Sequence, residues 1–156
     1  MKVEVGQQAP QFTLQTQDGK DWSLGDQAGA PVVLYFYPKD GSTGCAAQAC
    51  DVRDHWSEFA DLGVAVVGIS PDDVESHRSF ADKNALPHTL LADPERDVIQ
   101  AYGAWGEKVR EGKTIEGVLR SSVVVDGQGE VAAVFGSIEP KEQSEKSLRV
   151  VRDLMA

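Results

Sequence analysis

PVVLYFYPKDGSTGCAAQAC, residues 31–50, contains both cysteines of the chain. Pro31 to Tyr37 is a continuous apolar run closed by Pro38, the pattern of a central strand buried on both faces. A polar turn follows. From residue 43 to residue 61 the only glycine is Gly44 and there is no proline, while Ala49, Val52, Trp56 and Phe59 recur at three- and four-residue spacing. That stripe predicts one helix over 43–61, closed by Gly63 in the usual C-terminal position.

The same alternation continues outward. Upstream, residues 11–15 and 21–24 read as two short strands around Gln17-Asp18-Gly19-Lys20, with Asp-Gly as the hairpin signal. Downstream, Val64 to Ser70 reads as a second buried strand. Pro71 and Asp72 open a helix over 72–84, Thr89 to Leu91 form a short strand, and a short helix lies near 94–102. Residues 103–118 read as a polar loop. Ser122 to Val125 and Glu130 to Phe135 flank the turn Asp126-Gly127-Gln128-Gly129. A last amphipathic helix over 141–155 is expected to bury Leu148, Val151 and Leu154. Strands alternating with helices, then a hairpin and a closing helix, predict an α/β chain of thioredoxin-like fold. Its expected form is a central mixed β-sheet flanked by helices, with an N-terminal β-hairpin.

Composition narrows the function. A chain of 156 residues without repeats, low-complexity tracts or linker-like stretches is expected to form one domain over 1–156. Fifteen basic against 25 acidic residues give a formal net charge of -10. With no local lysine or arginine cluster in the sequence to offset it, no nucleic acid and no membrane are expected as partners. The amino terminus has no apolar h-region, so the expected localisation is cytoplasmic. Two cysteines in a reducing compartment do not make a disulfide framework; such a pair is more often catalytic, redox-sensing or metal-binding.

The spacing of the pair chooses among these. Cys45 falls in the first turn of the expected helix, where unpaired N–H groups and the positive end of the dipole favour a thiolate. Cys50 lies five residues on, roughly 7–8 Å along the axis and about 140° around it, so the Cα atoms of an intact helix stand near 8–9 Å apart. A disulfide needs them within about 7 Å. The pair joins only if the first turns unwind, which suits a catalytic cycle: an exposed thiolate is oxidised to sulfenic acid, the helix opens, and the second thiol condenses with it. Three other readings stand beside this one. Cys50 can be a small buried hydrophobe. A metal site would use Cys45, Cys50 and His55 with His77 or His88, at poor spacing. A dithiol reductase would want Cys-x-x-Cys. The three histidines read as surface or packing residues.

Pro38-x-x-x-Ser42-x-x-Cys45 resembles the Pro-x-x-x-Thr/Ser-x-x-Cys motif of the peroxiredoxins. With Cys50, Tyr35 to Asp40 and Cys50 to Asp54, it is similar to the branch called peroxiredoxin Q or bacterioferritin comigratory protein. Gly6 to Phe12, Gly68 to Asp72, Ser76-His77, Leu90 to Pro94, Ala101 to Lys108 and Arg120 to Ser122 extend the resemblance along nearly the whole chain. It implies that Cys45 is the peroxidatic and Cys50 the resolving cysteine of one chain, joined in a disulfide during turnover. Arg120 would then stand near the thiolate and favour it, Ser42 would orient the peroxide, and Pro38 would shield the pocket. The resemblance also implies hydrogen peroxide or an organic hydroperoxide as substrate, thioredoxin or a similar dithiol as reductant, no cofactor, no metal and a monomer. The alternative is a peroxide-sensing redox switch, or a holdase-type binding protein, without turnover.

The chain departs from the family pattern at three places. Ser42 and Thr43 stand where threonine and proline are usual, leaving Thr43 as a second candidate hydroxyl. Ala46-Ala47-Gln48 replaces Thr-Thr-Glu. The change to Gln48 removes a negative charge near the thiolate, and the alanines raise helix propensity against unwinding.

Overall fold

The computed structural model describes all 156 residues. Seven strands form one mixed sheet: β1 (Thr13–Thr16), β2 (Asp21–Ser23), β3 (Val32–Phe36), β4 (Ala65–Ser70), β5 (Thr89–Ala92), β8 (Ser121–Val125) and β9 (Val131–Phe135). Their order is β2-β1-β5-β4-β3-β8-β9. β3, β4 and β5 run parallel. The β1–β2 hairpin joins one edge antiparallel to β5, and the β8–β9 hairpin lies antiparallel to β3.

The apolar run around β3 has a simple consequence. Successive side chains of a strand point to opposite faces, so a strand without polar residues needs cover on both. Val32, Leu34 and Phe36 enter one cluster with Val67, Ile69, Leu91, Val123, Val98, Ile99 and Tyr102. Val33, Tyr35 and Tyr37 enter the other with Val66, Leu90, Val124 and the apolar faces of four helices. Those helices are α1 (Thr43–Asp54), α2 (Trp56–Leu62), α3 (Val74–Asn84) and α5 (Gln143–Met155), while α4 (Asp97–Tyr102) covers the first face. Cys45, Ala49 and Val52 of α1 belong to the second cluster, which places the start of α1 against the central strand.

Four sequence expectations change. The helix over 43–61 is two helices, α1 and α2, broken at His55 (φ -107°, ψ 11°). The His55 ring stands 2.8 Å from the Asp51 carbonyl and can donate to it through Nδ1–H, sharing that carbonyl with the His55 N–H at 3.2 Å. Gly63 does cap the second segment, at φ 68°. The helix expected from residue 72 begins at Val74, because Asp73 accepts from the Ser76 N–H and so caps it. Leu154 is not buried: it is 42% exposed, and α5 instead buries Gln143, Ser144 and Ser147 beside Leu148 and Val151.

The fourth change bears on the site. Residues 103–118 are not a loop but mostly a two-stranded hairpin, β6 (Trp105–Arg110) and β7 (Lys113–Val118). Arg110 pairs with Lys113 across Glu111 (φ 54°) and Gly112 (φ 76°), a two-residue turn with both φ positive. Both faces of the hairpin are largely wet, so no apolar alternation marked its strands.

Candidate active site

The turn after β3 is held from below. Tyr37 O–H donates to Asp40 Oδ1 at 2.6 Å, and Ser76 O–H donates to Asp40 Oδ2 at 2.8 Å. His77, fully buried, sets Nδ1 2.7 Å from Asp40 Oδ2 and Nε2 2.9 Å from the Leu91 carbonyl. A carbonyl only accepts, so Nε2 carries a hydrogen. The Asp40 N–H in turn donates to Asp72 Oδ2 at 2.8 Å. Asp40 thus pins residues 38–44 to α3 and to the C-terminal ends of β4 and β5. Asp40, Asp72 and His77 are also the one group of three or more potential metal-ligating side chains whose atoms gather within 4.8 Å. Neither cysteine belongs to it.

Ser42 is the N-cap of α1. Its Oγ accepts from the Cys45 N–H at 3.4 Å and donates to the Lys39 carbonyl at 3.2 Å. Thr43 is exposed and makes no side-chain hydrogen bond. Pro38 is half-buried at the rim. Cys45, the third residue of α1, is 1% exposed, so the expectation of an exposed thiolate is corrected: the sulfur is packed into the second cluster. Burial in this position does not leave the sulfur without polar contact. Arg120 Nη2 donates to Cys45 Sγ at 3.3 Å.

Arg120 comes from the link between β7 and β8, and a buried chain of amides sets its fork. Its Nη1 donates to Gln48 Oε1 at 2.6 Å. Gln48, fully buried, donates through Nε2 to Gln143 Oε1 at 2.9 Å. Gln143 donates onward to Ser122 Oγ and Ser147 Oγ, each at 2.9 Å, and Ser122 donates to the Leu34 carbonyl at 2.8 Å. Gln48 therefore does more than remove a charge. As an amide it accepts from the guanidinium and donates to α5, which a carboxylate cannot do. Gly44 completes the seat: a Cβ there would lie 2.9 Å from Arg120 Nη2.

Cys50 looks elsewhere. It is half-buried, and its Sγ donates to Asn84 Oδ1 at 3.7 Å, at the end of α3. Arg53 Nη1 holds the Asn84 carbonyl at 2.8 Å. Both thiols are free. Each cysteine is engaged by a different neighbour, with α1 intact between them.

A cavity of about 610 Å³ lies beside Cys45, lined by its neighbour Gly44 and by Arg120 but not by Cys45 itself. Residues 38–44 form one wall; Lys108 and Arg110 of β6, with Arg120, form the other. Lys108 is held below the ordinary lysine range by partial burial and by the positive charges of Arg110 and Arg120. Of the residues expected from the sequence, the structure brings Cys45, Arg120, Ser42 and Pro38 together and sets Cys50 aside on the α3 face. Sequence reasoning missed Asp40, His77, Gln143, Asn84, Lys108 and Arg110 as parts of the site. The Glu111-Gly112 turn was the one local signal that could have delivered the last two.

Residues 5–134 match the AhpC/TSA family. The chain is 45% identical over 139 residues to "Putative peroxiredoxin bcp" of Coxiella burnetii, covering 89% of this chain and 92% of that one. A Xanthomonas campestris structure, described by its alkyl peroxide reduction activity as a bacterioferritin comigratory protein, superposes with a TM-score of 0.87 at 26% identity and 97% coverage of each chain. A Xylella fastidiosa PrxQ structure gives 0.92 at 21% identity over 100% of this chain and 99% of that one, a likeness of fold.

Proposed function

Since this chain belongs to the AhpC/TSA family, in its bacterioferritin comigratory branch, and is a thiol-dependent peroxidase, we propose that Cys45 is its peroxidatic cysteine and Cys50 its resolving one. The observation that carries the assignment is the Arg120 guanidinium 3.3 Å from the Cys45 sulfur, in the first turn of α1. A fixed cation and a helix N-terminus both favour sulfur in its anionic, nucleophilic form.

The Cys45 thiolate attacks the terminal oxygen of a hydroperoxide. The O–O bond breaks, its electron pair leaves on the other oxygen, and that oxygen takes a proton to become water or alcohol. Sulfur is left as a sulfenic acid. Arg120, already aimed by Gln48, holds positive charge where negative charge moves from sulfur to the leaving oxygen. Ser42 Oγ, on the cavity wall and bonded to the Cys45 N–H, orients the peroxide, and Pro38 limits water. The Cys50 thiolate then attacks the Cys45 sulfur and expels hydroxide, which leaves as water once protonated, and a disulfide forms. With α1 intact and Cys50 turned to Asn84, this step requires the first turns of the helix to open. Thioredoxin, or a dithiol like it, returns both thiols by exchange. We take residues 1–156 as one domain that works as a monomer in the cytoplasm; no helix is long and apolar enough to cross a membrane.

Thioredoxin-coupled peroxide consumption tests the reading. Cys45→Ser should abolish it, and Cys50→Ser should leave one stoichiometric oxidation of the protein. Full coupled turnover by Cys45→Ser would overturn the assignment.

A further inference from the structure

Four cations line the cavity beside Cys45: Lys39 on one wall and Lys108, Arg110 and Arg120 on the other, with Arg120 also donating to the Cys45 sulfur. The six ion pairs of the chain use Arg53, His55, His77, Lys146, Arg149 and Arg152, and none of these four. In a chain with 25 acidic residues, four clustered cations without a carboxylate partner are a departure that needs a cause. The one acid on the cavity wall, Asp40, has a side chain only 5% exposed and already bonded to Tyr37, Ser76 and His77. Like charges held together repel, and the repulsion is relieved when an anion enters.

Lys108 is also placed, not merely present. Its stem lies across Gly117, where a Cβ would come within 3.0 Å of Cε, and its Nζ donates to the Val118 carbonyl at 3.0 Å. An ammonium so held keeps two further donors free. Arg110, two residues on along β6, projects to the same face, while Glu107 and Val109 alternate to the other.

The cavity is far larger than hydrogen peroxide needs, yet apart from Pro38 its wall has no aliphatic or aromatic side chain. On the peroxidase reading above, we propose that this cationic wall selects organic hydroperoxides that carry their own carboxylate, with Lys108 and Arg110 receiving the carboxylate while the O–O bond meets Cys45. The reaction at sulfur is unchanged; the two cations act on encounter and orientation.

The probe is a short hydroperoxy carboxylic acid compared with its neutral methyl ester, both reduced by the intact protein with dithiothreitol as the thiol source. At low ionic strength the acid should be consumed about tenfold faster per mole than the ester. The acid-to-ester ratio should fall toward one in the double variant Lys108→Gln/Arg110→Gln, and should persist in Lys20→Gln, which removes the same kind of charge elsewhere. Salt gives a second readout that needs no variant. Raising ionic strength so that the Debye length shrinks from about 30 Å to about 3 Å should lower the ratio in the unaltered protein. A ratio of one at low salt, or a ratio that survives both the double variant and salt, overturns the selection while leaving the peroxidase reading intact. Failure to consume either compound removes both.

Discussion

Arg120 Nη2 and Cys45 Sγ are 75 residues apart in the chain and 3.3 Å apart in space. The contact exists because α1 presents sulfur on its buried face while the β7–β8 link passes over its first turn, at the one helical position, Gly44, that has no side chain to block the guanidinium.

Gly44→Ala separates stability from activity at that contact. Alanine is worth up to about 1 kcal/mol over glycine inside a helix and less in the first turn, where Gly44 sits; its Cβ would lie 2.9 Å from Arg120 Nη2 and in ordinary contact, 3.8 Å, with Pro140 Cγ. The chain should therefore fold with equal or greater stability, with the guanidinium displaced from the sulfur. Denaturant unfolding should show no loss, and stopped-flow oxidation by peroxide should slow by roughly tenfold or more, given about 1.5–3 kcal/mol for a charge-assisted hydrogen bond. Unchanged oxidation would mean that the contact does not serve the reaction.

Gln48→Glu tests the amide chain. A carboxylate would hold Arg120 more strongly and compete with sulfur for it, while losing the donor to Gln143 Oε1 now met at 2.9 Å. A slower first oxidation is expected, together with a stability loss of about 1–3 kcal/mol from an unsatisfied buried group. Gln143→Leu should reproduce the stability loss with a smaller kinetic effect, because it leaves the Arg120–Gln48 bond in place. Equal kinetic defects in the two variants would argue against charge competition.

Asn84→Ala addresses the second step. Cys50 Sγ rests on Asn84 Oδ1 at 3.7 Å, a weak sulfur hydrogen bond that must break before Cys50 reaches Cys45. Its removal should speed disulfide formation up to about fivefold, the equivalent of ~1 kcal/mol, and should leave sulfenic acid formation as it was. Time-resolved mass spectrometry of the oxidised chain distinguishes the two steps; slower disulfide formation would show that Asn84 guides Cys50.

Acid should weaken the fold through His88. This ring is buried, its Nε2 lies 2.8 Å from the Tyr35 hydroxyl, and its Nδ1 has no partner. Burial lowers its pKa from 6.5 to about 3. Between those values the unfolded chain binds the proton that the folded chain refuses, so stability falls as pH drops below 6.5. By pH 5 the loss is about 2 kcal/mol from this group alone. Thermal unfolding of His88→Gln should show a shallower decline over that window; an unaltered slope would place the acid sensitivity elsewhere.

Local rules carried much of the fold. The apolar run from Pro31 to Tyr37, the stripe through Ala49 and Val52, and the Asp-Gly turns encode structure over a few residues, because strand and helix periods are properties of neighbouring side chains. They also located Cys45 at a helix start and showed Cys50 to be too far for an intact helix to bridge. Tertiary structure decided the rest. The break at His55 falls where one ring meets one carbonyl, and the β6–β7 hairpin is too wet on both faces to write an alternation. Arg120 on Cys45, Gln48 on Gln143 across 95 residues, and Asp40 on His77 across 37 are polar contacts with no period in the sequence. They exist only where packing the helices on the sheet removes water and brings donor to acceptor. The sequence by itself determined which sulfur begins a helix; the packed chain decided which cation stands beside it and which way the second sulfur faces.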